Sequence, residues 1–291
     1  MRRYVGMSLP RRVLPGATSF ITRRTQSRRF LLRPDPETTA LFLYCLGVAA
    51  ARYRIRVHSL CVMSNHYHLI ATDPEGWLPL FLQYFHRLVA LGIQRQRTWD
   101  EVVWEPNRQT SVVELLTDAA VVEKTLYLLT NPVSAGLVSD CDEWPGVVRS
   151  GAFGVERPGC FHEGCLPART EVSFVPAPAV SGEQVIADAV AFGTPGALAA
   201  ARGRTGRRPI GARRALRISP RDVPQTAKSK WNLSPRLAAM SRAVLAEGKA
   251  ALRAFRSAYR IAFDSMRGGL LVPFPAGTWK LVRQFGLPGA T

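Results

Sequence analysis

Regular spacing of apolar residues between positions 17 and 130 predicts a mixture of strands and helices. Residues 54–62 begin with polar and apolar side chains in alternation, which is typical of a strand with one face toward solvent. The apolar run 66–72 follows after the short turn 63–65, so we expect the two segments to pair as a hairpin. The expected elements are a strand over 17–24, a helix over 35–53, the hairpin strands, and helices over 78–97 and 118–130. This order predicts an α+β fold, with a central antiparallel sheet of about four strands and helices packed on it.

Helix-capping residues and prolines define where two of these helices should begin or end. Asp35 is a suitable N-cap and Pro36 is favoured at the first helical position, so a helix is expected to start there. Asn131 is followed by Pro132, and a proline disfavours helical geometry in the residue before it. We therefore expect the helix over 118–130 to stop at Thr130.

The composition changes beyond about residue 155, which divides the chain into three expected regions. Residues 1–155 should form the main domain, and residues 156–233 are rich in Pro, Gly and Arg and should form a linker. Eight arginines between positions 202 and 221 make part of that linker strongly basic. Residues 234–291 form a region of unknown role, with a helix expected from Ser234 and Pro235 to about Arg267.

The charge of the chain indicates a polyanionic partner. Lysine and arginine number 39 against 21 aspartate and glutamate residues, and the formal net charge is +18. Only five of the basic residues are lysine, and arginine binds phosphate with two parallel hydrogen bonds and stacks on unpaired bases. Nucleic acid is therefore the expected partner. A GC-rich genome would explain arginine in place of lysine, but not the excess of base over acid.

Several further patterns indicate a protein of the cytoplasm, and we expect it to be bacterial and associated with the nucleoid. No run of about 18 apolar residues predicts a membrane span, and no apolar segment follows Met1-Arg2-Arg3 as in a secretory signal. The five cysteines are an odd number, which is typical of a reducing compartment. No membrane partner is expected.

The segment His66-Tyr67-His68 is the first candidate for chemistry. Residues i and i+2 of a strand point to the same side of the sheet, roughly 7 Å apart along the strand, so two imidazoles there could bind one divalent cation. Tyr67, between them, should point into the core. On its own the pattern is weak, because most such histidine pairs are surface or partly packed side chains.

Tyr127 and Asn131 are the second candidate. They lie four residues apart near the end of a predicted helix, so they share one face. Taken alone, a tyrosine on an apolar helix is more often a core residue whose hydroxyl finds a nearby partner.

Both candidates resemble the motifs of one family. Residues 62–70, Val-Met-Ser-Asn-His-Tyr-His-Leu-Ile, resemble the hairpin segment of the HUH single-tyrosine transposases, a family that includes the IS200-like transposases. Residues 127–138, from Tyr127 through Asn-Pro to Ala-Gly-Leu-Val, resemble the second hallmark of the REP-associated tyrosine transposases, and Trp144-Pro145 is similar to that subgroup. The resemblance covers about the first 150 residues.

The resemblance implies the roles of individual residues. His66, His68 and Asn131 would bind Mg²⁺ or Mn²⁺, and Tyr127 would be the nucleophile, with Glu105 or Asn107 as loosely held additional candidates. The substrate would be single-stranded DNA beside a hairpin or palindromic repeat, and the enzyme would be a monomer or a homodimer. Attack by the tyrosine would leave a 5′-phosphotyrosine and a free 3′-hydroxyl. The basic residues expected to contact DNA are Arg23, Arg24, Arg28, Arg29 and Arg108.

Two alternative functions remain open at this point. A domesticated, noncatalytic copy would bind a DNA hairpin without forming a covalent adduct. A replication initiator or relaxase would use the same motif, although those proteins often carry a helicase domain and we find no phosphate-binding loop signature.

The remaining cysteines and histidines give weaker signals. Cys160, His162 and Cys165, with Cys141, could bind zinc, but their spacing is not that of a usual paired-cysteine site, and a loop with incidental thiols is the more frequent explanation. His58 and His86 are expected on the surfaces of a strand and a helix, without a role.

Overall fold

The computed structural model describes residues 10–106, 109–206, 208–225 and 235–290. The strands are β1 (Ala17–Arg24), β2 (Arg56–Met63), β3 (His66–Asp73), β4 (Ser111–Leu115), β5 (Val147–Val148), β6 (Gly151–Glu156), β7 (Arg169–Phe174) and β8 (Leu237–Ala238). The helices are α1 (Pro36–Tyr53), α2 (Leu78–Arg97), α3 (Asp118–Ser134), α4 (Glu183–Thr205), α5 (Ala212–Ala215) and α6 (Arg242–Arg267). The chain is therefore α+β, as the sequence predicts.

All eight strands belong to one mixed sheet, in the order β6-β7-β2-β3-β1-β4-β8, with β5 beside β2. The four central strands, β2, β3, β1 and β4, are antiparallel, which is the expected core of the sheet. The expected number of about four strands is too small, because β7 pairs with β2 and β8 pairs with β4, both in parallel. These outer strands are short or lie among Pro and Gly residues, so no clear alternation in the sequence marks them.

Helices cover both faces of the central strands. Helices α1 and α2 pack on one face, and their core includes the fully buried side chains of Leu41, Phe85 and Tyr67. Helix α3 packs on the other face, where its core includes Leu128 and Phe20. Tyr67 thus points into the core as predicted, and the alternation along β3 places His66 and His68 on the α3 side.

The ends of the helices agree with the sequence in one case and differ in another. Asp35 caps α1, and its carboxylate accepts a hydrogen bond of 3.0 Å from the backbone N–H of Thr38. The predicted end of α3 at Thr130 is wrong, since the helix continues through Pro132 to Ser134. A proline this close to the end removes only one hydrogen bond within the helix, and its carbonyl accepts from the N–H of Leu137 at 3.0 Å.

The region beyond residue 155 is more regular than its composition indicates. The expected linker contains β7 and the 23-residue helix α4, which packs on α3 with Gly193 against Leu126. The predicted helix start at residue 234 is also wrong: Ser234 lies outside the described residues, 237–238 form β8, and α6 begins after its cap Ser241. The division of the chain at residues 155 and 233 stays a prediction.

By length and composition, α4 is able to span a membrane, which the sequence analysis did not expect. An 18-residue window of α4 has a mean hydropathy of 1.2, and 22% of that window is buried in the structure. One such helix is weak evidence of a membrane span, because core helices of soluble proteins pass the same test.

Candidate active site

Strand β3 presents His66 and His68 side by side on the face of the sheet covered by α3. Their ring centroids are 4.8 Å apart, with the ring planes nearly perpendicular. The neighbouring strand β1 pairs Thr22 with His68 and Arg24 with His66. The Phe20 ring, on the same face of β1, stacks on the His68 ring at 5.0 Å.

One oxygen atom orients each of the two imidazoles. The side-chain oxygen of Asn65 lies 2.7 Å from Nδ1 of His66, and because a carboxamide oxygen only accepts, this Nδ1 carries the proton. The hydroxyl of Thr22 lies 2.8 Å from Nδ1 of His68 and can accept in the same way. Nε2 of each ring then carries the lone pair, and it is the atom that would bind a metal ion.

Burial keeps both rings neutral at physiological pH. It lowers the pKa of His66 to about 3, and the positive charges of Arg24 and Arg28 contribute to the shift. Burial also lowers the pKa of His68 well below its ordinary value, followed in importance by the nearby His66 and Arg24. A neutral imidazole is the form that binds a metal ion, so the protonation state suits a metal site.

Helix α3 brings Tyr127 and Asn131 over the two histidines. The side-chain nitrogen of Asn131 lies 3.3 Å from Nε2 of His68. Rotating this amide by half a turn exchanges its nitrogen and oxygen, and such an orientation is chosen from the hydrogen-bond partners. The carboxamide oxygen would then face the same space as Nε2, where a metal ion could share both atoms.

Tyr127 lies at the open side of this group. Its ring centroid is 5.5 Å from that of His68 and 5.9 Å from that of Phe20, with both contacts edge to face. Half of the residue is exposed, so a ligand from solvent can reach it. The structure therefore brings together all four residues predicted for catalysis and metal binding, and their roles stay predictions.

The donor atoms fit the divalent cation that the resemblance implies. Two neutral imidazole nitrogens and one carboxamide oxygen are ligands that Mn²⁺ accepts readily, and Mg²⁺ accepts with more water in its shell. Water and a substrate oxygen would complete the shell of the bound ion.

No sequence motif marked Phe20, Thr22 and Asn65 as site residues. Asn65 precedes His66 directly, so an acceptor for a histidine could have been expected from adjacency. Phe20 and Thr22 alternate along β1, but only the register of β1 against β3 places them beside His68.

The five arginines expected at the DNA differ in position. The charges of Arg24 and Arg28 act on His66, which places them beside the site. Arg23 points to the other face, where it donates a 2.6 Å hydrogen bond to Nδ1 of His86 and lies over the Trp104 ring. Arg29 lies over Trp99 and donates to the carbonyl of Arg221. Arg108 lies outside the described residues.

The prediction that His58 and His86 lie on the surface is wrong. His58 and His86 are not surface residues, since each is 4% exposed. They are buried because each has hydrogen-bond partners on both nitrogens: Val175 and Thr72 for His58, and Arg23 and Tyr67 for His86.

The loosely held extra ligands at the metal site are also not supported. The carboxylate of Glu105 accepts a hydrogen bond from the backbone N–H of Ser27, and among the described residues it joins no group of converging ligand atoms. Asn107 lies outside the described residues.

The predicted zinc cluster does not form within the described part of the chain. Cys160, His162 and Cys165 give no set of three converging ligand atoms. The only such set there is Asp140, Cys141 and Asp142. Its carboxylates pair with arginines: Asp140 with Arg202, and Asp142 with Arg149.

Comparisons with known proteins found structural neighbours only. No protein-family model and no curated protein matches the chain. One neighbour is a REP-associated tyrosine transposase bound to a REP hairpin, with 16% identity and a TM-score of 0.42 over 49% of this chain and 82% of that one. Another is a protein from Deinococcus radiodurans R1 assigned as a transposase, with 19% identity and a TM-score of 0.29 over 37% of this chain and 85% of that one.

Proposed function

We propose that this protein is a metal-dependent endonuclease and strand transferase of the HUH single-tyrosine transposase type. The observation that carries the proposal is the meeting of two separate motifs at one place. Asn131 reaches to 3.3 Å from Nε2 of His68, and Tyr127 lies against the same ring. A core tyrosine or a pair of surface histidines would not require this convergence.

The proposed reaction consists of a simple sequence of bond changes. The Tyr127 hydroxyl would attack the scissile phosphorus, forming a bond between its oxygen and the phosphorus. The bond from the phosphorus to the 3′-oxygen would break, and that oxygen would take up the proton that the phenol loses. The resulting 5′-phosphotyrosine keeps the phosphodiester energy, so a 3′-hydroxyl of another strand can reverse the step and join.

The metal would be held by Nε2 of His66, Nε2 of His68 and the carboxamide of Asn131. When bound, a divalent cation such as Mg²⁺ or Mn²⁺ stabilises the charge that develops on a reacting phosphate. The positive charges of Arg24 and Arg28 act on His66, and these two arginines would bind neighbouring phosphates of the strand. Phe20 and Thr22 hold the His68 ring in place from below.

The proposed substrate is single-stranded DNA next to a hairpin. The net charge of +18 favours a polyanion, and the half-exposed Tyr127 is accessible to a flexible strand. The hairpin is part of the proposed substrate because the motifs resemble those of the REP-associated tyrosine transposases. Binding to hairpin DNA without any cleavage would instead support the domesticated, noncatalytic alternative.

A covalent-adduct assay tests the proposal directly. Labelled single-stranded hairpin DNA is incubated with the protein and Mn²⁺ or Mg²⁺ and then separated on a denaturing gel. We expect label to migrate with the wild-type protein and to disappear in Tyr127→Phe, because the phenylalanine lacks the attacking oxygen.

Tyr84→Phe is the matched control, since Tyr84 lies on α2 and packs against Arg52 and Tyr53 of α1, away from this site. It should form the adduct at the wild-type level. An adduct that persists in Tyr127→Phe would reject Tyr127 as the nucleophile, and hairpin binding without an adduct in the wild type would reject the enzyme.

A further inference from the structure

The C-terminal segment forms one wall of a cleft on the α2 side of the sheet, opposite the face that carries Tyr127. The cleft has a volume of about 620 Å³. Arg236, Tyr259, Trp279 and Lys280 line it from the C-terminal region 234–291, and Arg11 and Arg23 line it from the N-terminal part of the chain. Residues 274–279 lead directly into this wall.

The wall is held tightly against the body of the protein. Phe274 is fully buried, with the Tyr259 ring 5.5 Å away. The backbone N–H of Val13 donates a 3.0 Å hydrogen bond to the carbonyl of Gly277. Gly277 has φ +89°, and a Cβ there would come within 2.7 Å of Arg12, so only glycine allows this close approach. The cleft is therefore a built feature of the fold.

The cleft carries an excess of positive charge. Its lining includes the cations Arg11, Arg23, Arg236 and Lys280. Among the residues that the structure describes, it includes a single carboxylate, Glu105, which already accepts a hydrogen bond from a backbone N–H. Within the described ranges, no carboxylate forms an ion pair with any of these four cations.

Two of these arginines lie close enough to repel each other. Burial lowers the pKa of Arg11, and the charge of Arg236 lowers it further. The guanidinium of Arg11 donates a hydrogen bond of 3.1 Å to the carbonyl of Thr110, which does not neutralise its charge. An anion between the two guanidinium groups would remove the repulsion.

Buried donors also lack partners around the same cleft. In the part of the chain that the structure describes, Nε of Arg23, Oγ1 of Thr278 and the indole Nε1 of Trp279 are buried without a hydrogen-bond partner. An indole N–H can only donate, and a guanidinium can only donate. These donors are covered by the fold, so the phosphate oxygens would be bound by the guanidinium groups of Arg11 and Arg236, which line the cleft.

We propose that this cleft is a second DNA-binding site, which takes the phosphate backbone of an unpaired strand between Arg11 and Arg236. The aromatic rings of Trp279 and Tyr259 would stack on an adjacent base, which is how proteins hold single strands without reading sequence. The proposal takes DNA as the partner from the proposed function, but it does not require cleavage by Tyr127.

The test measures binding of a labelled thymidine oligonucleotide to the full chain by fluorescence anisotropy, with EDTA present so that no cleavage occurs. We expect the double variant Arg11→Gln, Arg236→Gln to bind about tenfold more weakly. The slope of log affinity against log salt should become shallower by about 1.4, since each contact to a single strand contributes roughly 0.7.

The matched control is Arg54→Gln, Arg56→Gln, which loses the same charge from arginines paired with Glu75 and Glu183 outside the cleft. It should leave the slope unchanged. Equal slopes for the cleft variant and the control would overturn the proposal. It would also be overturned if the double variant lost the binding of inorganic phosphate but bound DNA as tightly as the wild type.

Lys280→Gln keeps the test decisive if the double variant does not fold, because Lys280 is exposed. It should reduce the slope by about 0.7, and an unchanged slope would count against the cleft. The adduct assay with the Tyr127→Phe variant is independent. An active nuclease with a DNA-insensitive cleft would reject this proposal alone, and an inactive protein whose cleft binds DNA would reject the nuclease alone.

Discussion

At the scale of single residues, the candidate site depends on the atoms that orient the two histidines. Thr22 and Asn65 each hold an Nδ1, which leaves Nε2 of both rings directed away from the sheet. Neighbours of this kind commonly change metal affinity 10- to 100-fold when they are removed. The roles of His66 and His68 can therefore be tested without changing either histidine.

Substituting Thr22→Val tests this arrangement. Valine has a similar shape but no oxygen, so Nδ1 of His68 loses its partner and the ring is no longer held in one tautomer. We expect cleavage to require about tenfold more Mn²⁺ or Mg²⁺, measured by titrating the metal in the cleavage assay.

Thr18→Val provides the control, since Thr18 lies on the same strand and bonds to Thr72 instead of to a site residue. Its metal requirement should equal that of the wild type. If Thr22→Val also shows the wild-type metal requirement, His68 is not oriented by Thr22 for metal binding.

Buried histidines should also make the fold sensitive to acid. Burial lowers the pKa of His58 from 6.5 to about 4, so the folded protein keeps this ring neutral while the unfolded chain protonates it. Above pH 6.5 both states are neutral at this ring. As the pH falls from 6.5 to about 4, the free energy of unfolding should decrease by roughly 1.4 kcal/mol per pH unit for such a group.

His58→Gln removes this one group. The free energy of unfolding should then decrease less steeply with falling pH, by the slope that corresponds to about one proton taken up on unfolding. Urea unfolding curves measured across this pH window give the slope. The same slope in the wild type and the variant would show that His58 does not titrate in this way.

At the scale of elements, the sheet register and one close backbone contact position the site. Strand β1 lies between β3 and β4, so its alternate residues Phe20 and Thr22 reach His68. After α3, the chain returns to the edge of β2, where the N–H of Val62 donates to the carbonyl of Gly146 at 2.7 Å. The indole N–H of Trp144 donates to the carbonyl of Val62 at 2.8 Å. This contact ties the segment behind Tyr127 to the sheet.

Gly146→Ala should break that contact. A Cβ at this position would overlap the carbonyl oxygen of Val62, a backbone atom in a central strand that cannot move aside cheaply. We expect the free energy of unfolding to fall by about 2–3 kcal/mol, toward the upper end of overpacking costs, as measured by chemical denaturation.

Gly159→Ala serves as the comparison, because a Cβ there meets no atom within 4 Å. It should change the stability by less than about 0.5 kcal/mol. Equal effects of the two substitutions would mean that the Gly146 contact does not hold the segment in place.

At the scale of the whole molecule, the positive charge is distributed over both faces of the sheet. Arg24 and Arg28 lie beside His66 on one face, and the cleft with Arg11 and Arg236 lies on the other. A strand bound at both places would pass around an edge of the sheet. Such a path adds phosphate contacts without adding contacts to bases.

Binding of single-stranded DNA should therefore depend steeply on salt. With about four phosphate contacts, the affinity should fall roughly 50-fold for a fourfold rise in salt, measured by titration at several salt concentrations. An RNA oligonucleotide of the same sequence should compete less well if the protein is a DNA enzyme. Salt-independent binding, or a preference for RNA, would contradict a role on DNA.

Local patterns in the sequence were sufficient for the central elements and for the pairing of residues within each motif. The period of two along β3 places His66 and His68 on one side, and the helical period places Tyr127 and Asn131 on one face. Strand β1, the hairpin and helices α1 and α2 follow from alternation, capping and turn residues for the same reason. These features depend on neighbours within a few positions, which the sequence displays directly.

Only the tertiary structure decided which local features meet. The packing of α3 across β3 puts Asn131 beside His68, and the register of β1 adds Phe20 and Thr22. The burial of His58 and His86, the strands β7 and β8, and the cleft under the C-terminal segment depend on partners more than 15 residues away in the chain. Sequence patterns report the period of an element but not its long-range partner, because contact across the core is set by packing between distant segments.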